Sequence, residues 1–463
     1  MVMALTRRQL IKQIGALTAL AGTGGLSSVA QAARERLIPW KNWSGGQTCL
    51  PAAKLAPATE DELSSVLKAT RDMNVRAVGS SHSFSPLIPT DGKLISLSNF
   101  SGLLSHDPKT LQAEFGAGTP MSQMGEPLLK VGQALLNMAD IDYQTLAGAI
   151  STSTHGTGPK FGSYSSNVVG LRMVKANGDI VDLDKNRQPE LFNAARVSLG
   201  SLGIITRVKL QNRKAFRLNQ KQWVQNTDEL IEDIPRLVKD NDHFEFSPIL
   251  HSDVSLAQAQ NETTDTKVMP LPTGGDGDKV SKLSMANTFL RNHPDAHASL
   301  LNFLVKHIDF PEVQDISYKV FANVRDQRFN EMEYEVPAAA GPECVREIMK
   351  LVREKNLNSF FPLEYRYVKA DDIPLSMFSG RDSCAISVHQ SYDMAYQPFF
   401  AEIEPIFWKY EGRPHWGKLH TLNAAQLSKL YPRWKEFQDI RRSVDPTGKF
   451  LNGHLRSIFG VQC

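Results

Sequence analysis

Two short runs carry the residues best suited to chemistry: Val78-Gly79-Ser80-Ser81-His82-Ser83-Phe84 and Ser151-Thr152-Ser153-Thr154-His155-Gly156-Thr157-Gly158. Each is a loop of small residues that holds one histidine and lies between segments of strand character. Glycine and serine put little bulk in the way, so backbone N–H groups can come close to a phosphorylated ligand. Two such loops in the first half of the chain point to a diphosphate held from two sides, and so to a nucleotide cofactor. His82 is the residue placed to tie that cofactor down chemically.

The elements that must position these loops can be read in outline. Thr59-Glu60-Asp61-Glu62 has the form of a capping box, and Leu63, Val66 and Leu67 follow at helical spacing, which predicts a helix ending near Asn74. Val75–Val78 then reads as a short strand running into the His82 loop. Lys93–Leu97 and Leu111–Phe115 are further strand candidates, and Met121–Val131 is a helix candidate. Val168–Val174 and Ile180–Leu183 form a hairpin around Asn177-Gly178-Asp179. The run Ser198–Thr206 leads into one more strand. This first part is α+β, without a regular βαβ repeat. A polar stretch, Lys214–Asn226, opens a second region. Its helix candidates are Thr227–Asp240, Pro342–Lys355 and Gln397–Tyr410; its strand candidates are Asp242–Phe246, Glu331–Val336, Tyr365–Lys369 and Ala385–His389. Gly274–Asp278 reads as a surface excursion.

Bulk composition narrows the functional class. The chain has 463 residues, enough for two or three domains, and a hydrophobic fraction of 41% fits a globular protein. Its net charge of +3 comes entirely from Arg7, Arg8 and Lys12; without residues 1–32 the chain has 49 basic against 49 acidic side chains. That balance argues against a nucleic-acid partner. Thr6-Arg7-Arg8-Gln9-Leu10-Ile11-Lys12 resembles a twin-arginine export signal, followed by a glycine-diluted apolar stretch and the small-residue cleavage site Ala30-Gln31-Ala32. The expectation is a signal peptide over 1–32, a periplasmic location and no stable membrane insertion, since the apolar stretch is too short and too polar to span a bilayer. The cysteines Cys49, Cys344, Cys384 and Cys463 show no CxxC spacing, so no metal site is expected and no disulfide can be assigned.

Seven pieces in order then carry a resemblance: Val78–Phe84, Gly148–Gly158, Asp242–Phe246, Phe329–Tyr334, Glu364-Tyr365-Arg366, Arg413–Lys418 and Asp445–Asn452. Together they make the chain similar to the vanillyl-alcohol-oxidase flavoprotein superfamily, near its aldonolactone oxidoreductases. The resemblance implies an α+β protein with a two-subdomain FAD-binding domain over 45–213 and a cap domain over 214–463. The cap would be an antiparallel sheet flanked by helices, with 411–463 returning to the flavin. It also implies no Rossmann fingerprint, and no GxGxxG follows a strand here.

On that resemblance, His82 occupies the position at which covalent members attach the flavin 8α carbon, and a neutral imidazole is a suitable nucleophile for it. The other cofactor contacts implied are Gly79, Ser80, Ser81, Ser83, Phe84, Gly148, Ser151, Thr152, Ser153, His155 and Gly156, with Gly203 and Ile204 on the adenosine side. Glu364 and Arg366 lie one residue apart on a strand, so both point to one face, where they could bind a polyol. Lys418 matches the family lysine that reaches the substrate oxygen and the flavin edge, and His389 is a further substrate contact. The implied activity is FAD-dependent oxidation of a gulono-, galactono- or arabinono-1,4-lactone by hydride transfer to flavin N5, with Glu364 or solvent taking the hydroxyl proton. Oxygen or an electron-carrier protein would be the acceptor. An alditol oxidase and a flavin-binding module without turnover are the alternatives.

Overall fold

The side chain of Thr59 accepts the Glu62 N–H and opens the helix Glu60–Ala69. The reciprocal half of the capping box is shifted, with Glu62 accepting the Ala58 N–H instead. The helix stops at Ala69 rather than near Asn74, because Thr70 turns extended and its hydroxyl closes on the Val66 carbonyl. The computed structural model describes residues 37–271, 310–322, 327–359 and 361–462. The expected signal peptide and the Gly274–Asp278 loop lie outside the described residues.

The fold is α+β. In the first half, Ala53–Leu55 and Val75–Val78 both run parallel to Lys93–Ser96 and flank it. A five-stranded antiparallel sheet follows, in the order Ile180–Leu183, Val168–Val174, Ile204–Gln211, Gln112–Gly116, Leu103–Asp107. The expected hairpin closes through Gly178 at φ +86°, a conformation glycine adopts without penalty. The single helix expected over Met121–Val131 is instead a 3₁₀ turn, Met121–Gln123, and a short helix, Gly125–Lys130. Gly125, next to the Tyr318 ring, and Pro127 interrupt the run.

The second half is built on an eight-stranded antiparallel sheet. Its order is Val313–Ile316, Arg217–Asn226, Val254–Thr263, His243–Pro248, Glu364–Val368, Ser383–Ser391, Phe329–Pro337, Arg413–Pro414. Helices Thr227–Asp240, Gly341–Glu354 and Gln397–Lys409 pack on it, close to where their apolar spacing places them. The helix Gly341–Glu354, for instance, buries Cys344, Val345, Ile348, Met349 and Val352 in one stripe.

Two central strands, Arg217–Asn226 and Val254–Thr263, are not evident as strands in the sequence. They carry glutamines where a core strand normally carries aliphatic side chains. Gln220 and Gln260 lie opposite each other and are buried, and the Gln260 amide donates to Gln220 Oε1 at 2.8 Å. The pair satisfies itself, which makes two polar side chains tolerable in the interior. Gln260→Leu would leave the Gln220 carbonyl without its donor. We expect a loss of about 1–3 kcal/mol in urea unfolding, with part of it recovered in the Gln220→Leu/Gln260→Leu double variant.

Candidate active site

The His82 loop is held in an unusual shape. Ser81 takes φ +61°, its carbonyl accepts the Trp43 N–H at 2.8 Å, and its hydroxyl accepts the Trp40 indole N–H at 2.9 Å. A non-glycine residue at positive φ carries strain that the surroundings must offset. Gly79 allows the loop to approach its neighbour, since a Cβ there would lie 2.1 Å from Thr145 Oγ1. The loop is also fastened to the C-terminal part of the chain. Gly417 O accepts the Phe84 N–H at 2.7 Å, and the Ser85 hydroxyl donates to Trp416 O at 2.6 Å.

These contacts close a cavity of about 390 Å³. Of the expected residues, it is lined by Gly79, Ser80, Ser81, His82, Ser83, Phe84, Gly148, Ser151, Thr152, His155, Gly203, Glu364, Arg366, His389 and Lys418. Three expected cofactor contacts lie off it. Ser153 is fully buried with its hydroxyl on Ser376, Ile204 packs into the core, and Gly156 is pressed against the Met138 carbonyl. The backbone turns at Ser153, φ +59°, and Thr152, Thr154 and His155 beside it line the cavity.

The cavity suits an extended dinucleotide. Among the described residues, the backbone N–H groups of Ser80, Ser81, His82 and Ser83 have no protein acceptor, so a run of donors is left for a diphosphate. Burial, aided by the charge on Lys418, lowers the His82 pKa to about 4. Its imidazole is therefore neutral at pH 7. Arg76, which the sequence did not single out, lines the same cavity and stitches three segments together. Its guanidinium donates to the carbonyls of Leu87, Leu199, Gly200 and Phe450.

The other wall is a charge cluster. Strand Phe329–Pro337 alternates Glu331, Glu333 and Glu335, which therefore share one face, and all three are buried. The segment after the edge strand Arg413–Pro414 runs alongside it: His415 N–H donates to Glu333 O and Leu419 N–H to Glu331 O. That register brings the Lys418 ammonium onto the Glu331 carboxylate, with Glu333 at 3.5 Å. The two carboxylates raise the Lys418 pKa against the effect of burial, so it remains an ammonium. His155 Nε2 is hydrogen-bonded to Glu333 Oε1 and its Nδ1 to the Gly156 carbonyl, both at 2.8 Å. Interactions with His415, Lys418 and His155 hold Glu333 well below the usual carboxylate range despite its burial.

Glu364 and Arg366 do share a face and form an ion pair at 2.7 Å. Arg366 is further held by Glu245, also at 2.7 Å, with Asp140 at 3.8 Å. Glu245, Asp140, Glu331, Glu333 and His415 were not picked out as site residues from the sequence. The one available signal was the Glu-x-Glu-x-Glu alternation on a strand whose other positions are mostly apolar. The cluster has no need of a metal. Its carboxylates are paired with Lys418, Arg366 and His155, and His415 Nδ1 accepts the Gly417 N–H. With burial lowering the His415 pKa to about 4, its single proton sits on Nε2 and neither nitrogen offers a lone pair to a cation.

Glu335 stands apart: among the described residues neither of its carboxyl oxygens has a hydrogen-bond partner. Burial and the charge on Glu333 raise its pKa well above the ordinary value. Folded protein therefore keeps the proton that unfolded chain releases above about pH 4.5, and this group's contribution to stability falls as pH rises. Glu335→Gln should remove that loss. Its melting temperature should exceed that of the wild type by a margin that widens as pH rises above about 4.5, measured by differential scanning fluorimetry.

Comparisons with known proteins match this architecture. Residues 51–184 match the FAD binding domain family, and residues 208–458 match the D-arabinono-1,4-lactone oxidase family. The chain is 37% identical to L-gulono-1,4-lactone dehydrogenase of Mycobacterium tuberculosis over 91% of its own length and 99% of that protein. It is 28% identical to L-gulonolactone oxidase of Mus musculus, covering 91% and 98%. Among solved structures, cholesterol oxidase from B. sterolicum superposes with a TM-score of 0.77 at 16% identity, over 91% of this chain and 96% of that one. With more than half its length matched by the one family model and a relative of 37% identity along nearly the whole chain, the protein belongs to the D-arabinono-1,4-lactone oxidase family of FAD-dependent oxidoreductases.

Proposed function

We propose that this protein oxidises a secondary alcohol of a sugar 1,4-lactone of the gulono, galactono or arabinono type, using FAD held along the cavity that begins at His82. The observation that carries the reading is the convergence of Glu364, Arg366, His389 and Lys418 on the wall of that cavity, which the loops at 79–84 and 148–155 also line. Bound FAD supplies the acceptor for the hydride. The protein's own groups bind and orient the substrate. Arg366 and Lys418 are fixed cations in a site shielded from water, where they can steady an oxygen that gains negative charge. Arg366 is rigidly aimed because Glu245 and Glu364 take two of its nitrogens. The neutral imidazole of His82 supports a covalent link to the cofactor, and Gly148 and Ala149 leave room for oxygen to approach; an electron-carrier protein is the other acceptor we envisage. The twin-arginine motif supports export to the periplasm, and no helix among the described residues is long and apolar enough to cross a membrane.

Anaerobic addition of a lactone and alditol panel should bleach the visible flavin spectrum with at least one lactone, and preference for open-chain alditols would favour the alditol-oxidase alternative. Absence of bleaching by every member of the panel would leave only a flavin-binding role. Arg366→Ala should slow flavin reduction by about 100-fold or more while FAD stays bound. Acid precipitation of wild-type protein should leave the pellet yellow, whereas His82→Ala should release the colour to the supernatant. Colour in the wild-type supernatant would exclude the link.

A further inference from the structure

We infer that His389 Nε2, and not Glu364, accepts the proton of the substrate hydroxyl, with Glu331 as its positioning residue. The inference rests on the reading of this cavity as an alcohol-oxidising site. His389 lies directly opposite Glu331 in the sheet, on strand Ser383–Ser391, so the backbone register fixes where its ring can go. The ring is buried, stands edge-on to Phe329 at 5.1 Å, and lines the cavity. Nδ1 faces the Pro362 carbonyl at 3.2 Å. A carbonyl can only accept, so this contact keeps the proton on Nδ1 and the lone pair on Nε2.

Nε2 is placed where a positive charge would be stabilised. Glu331 Oε1 is 3.6 Å away, and one ligand atom from each of Glu331, Glu364 and His389 falls within 4.8 Å of the others. The charged groups on the elements packed against the ring are therefore two carboxylates, from strands Phe329–Pro337 and Glu364–Val368. Behind each lies its cation, Lys418 and Arg366 respectively. A proton arriving at Nε2 meets both carboxylates at close range. This is the arrangement of a general base backed by an orienting carbonyl and compensating anions.

The rival acceptors are otherwise engaged. Glu364 is bound by Arg366 Nη1 at 2.7 Å, with the Ser387 hydroxyl at 3.5 Å. Glu331 is held below its usual pKa by Lys418, which is already an ammonium. Glu245 is taken up by Arg366 Nε and by the Gln258 amide. The step balances as follows. The O–H bond breaks and its proton goes to Nε2, the oxygen lone pair forms the C=O bond, and the C–H bond breaks with its electron pair passing to FAD, the oxidant of this family.

The test uses the full-length flavoprotein under anaerobic conditions, with a lactone that bleaches the wild type. His389→Gln and His389→Ala should lower the limiting rate of flavin reduction by about 100-fold or more, with the half-saturating concentration changed less than about threefold. Added imidazole should restore part of the rate in His389→Ala. The visible spectrum and melting temperature should match the wild type, which a general structural defect would not allow. Glu331→Gln should give an intermediate loss of rate, and Glu331→Asp should recover part of it. Reduction by His389→Gln within about threefold of the wild type would overturn the assignment, as would a larger rate loss in Glu364→Gln with unchanged half-saturation. If no lactone or alditol bleaches the wild-type flavin, the proposed function itself fails, and this inference falls with it before any variant is made.

Discussion

Three glutamates on one face of a buried strand set the terms for the rest of this site. An ionised carboxylate removed from water costs several kcal/mol unless cations and donors surround it, and removing one partner of such a pair typically costs about 3–5 kcal/mol. Glu331, Glu333 and Glu335 cannot find those partners within their own strand. Glu331 and Glu333 draw Lys418 from the C-terminal segment, and Glu333 also draws His155 from a loop of the first half. Each pairing is a tether between parts of the chain distant in sequence. The charge balance that makes the strand tolerable also assembles the cavity wall. Glu335, whose oxygens make no hydrogen bond among the described residues, is pushed toward its protonated form by burial and the charge on Glu333, and this limits the net charge the strand buries.

The same logic operates on the cofactor side with the sign reversed. Arg76 is buried, and among the described residues no carboxylate pairs with it. Four backbone carbonyls from three segments surround its guanidinium, and burial lowers its pKa to about 10. Carbonyl dipoles stabilise the charge only if Leu87, Leu199, Gly200 and Phe450 all hold their places, so the arginine acts as a geometric lock. Together with the Phe84–Gly417 and Ser85–Trp416 hydrogen bonds, it ties the loop at 79–87 to the C-terminal chain. The strain at Ser81 is sustained by that fastening.

This pattern explains what the sequence revealed and what it concealed. Helices such as Thr227–Asp240 and Gly341–Glu354 were legible because an apolar stripe and its spacing are local properties. The loops at His82 and His155 were legible because runs of small residues are locally unusual, and Glu364 with Arg366 because a two-residue spacing fixes a shared face. The strands Arg217–Asn226 and Val254–Thr263 were concealed because Gln220 and Gln260 each look solvent-seeking until they meet. Glu331 and Glu333 likewise read as ordinary polar positions, and Glu245 and Arg76 as ordinary charges. Several of their partners lie far along the chain, 121 positions for Glu245 with Arg366 and 374 for Arg76 with Phe450. A buried charge becomes recognisable only once its counter-charge is in place, and that is tertiary information.

Charge balance also bears on what such a cavity can recognise. Lys418 and Arg366 would draw in an anion if they were bare, but Glu331 and Glu333 face the first, and Glu245, Glu364 and Asp140 the second. Long-range attraction for a carboxylate or phosphate substrate is thereby suppressed, because the field of each cation is cancelled within a few ångströms. What survives is short-range and directional: hydrogen-bond donors on Lys418 and Arg366, and acceptors on Glu364 and His389. Directional hydrogen bonding without net attraction favours an uncharged, polyhydroxylated ring over its charged open-chain acid. It also leaves the electrostatic effect of the two cations to act where charge develops during reaction rather than where it already exists in the ground state.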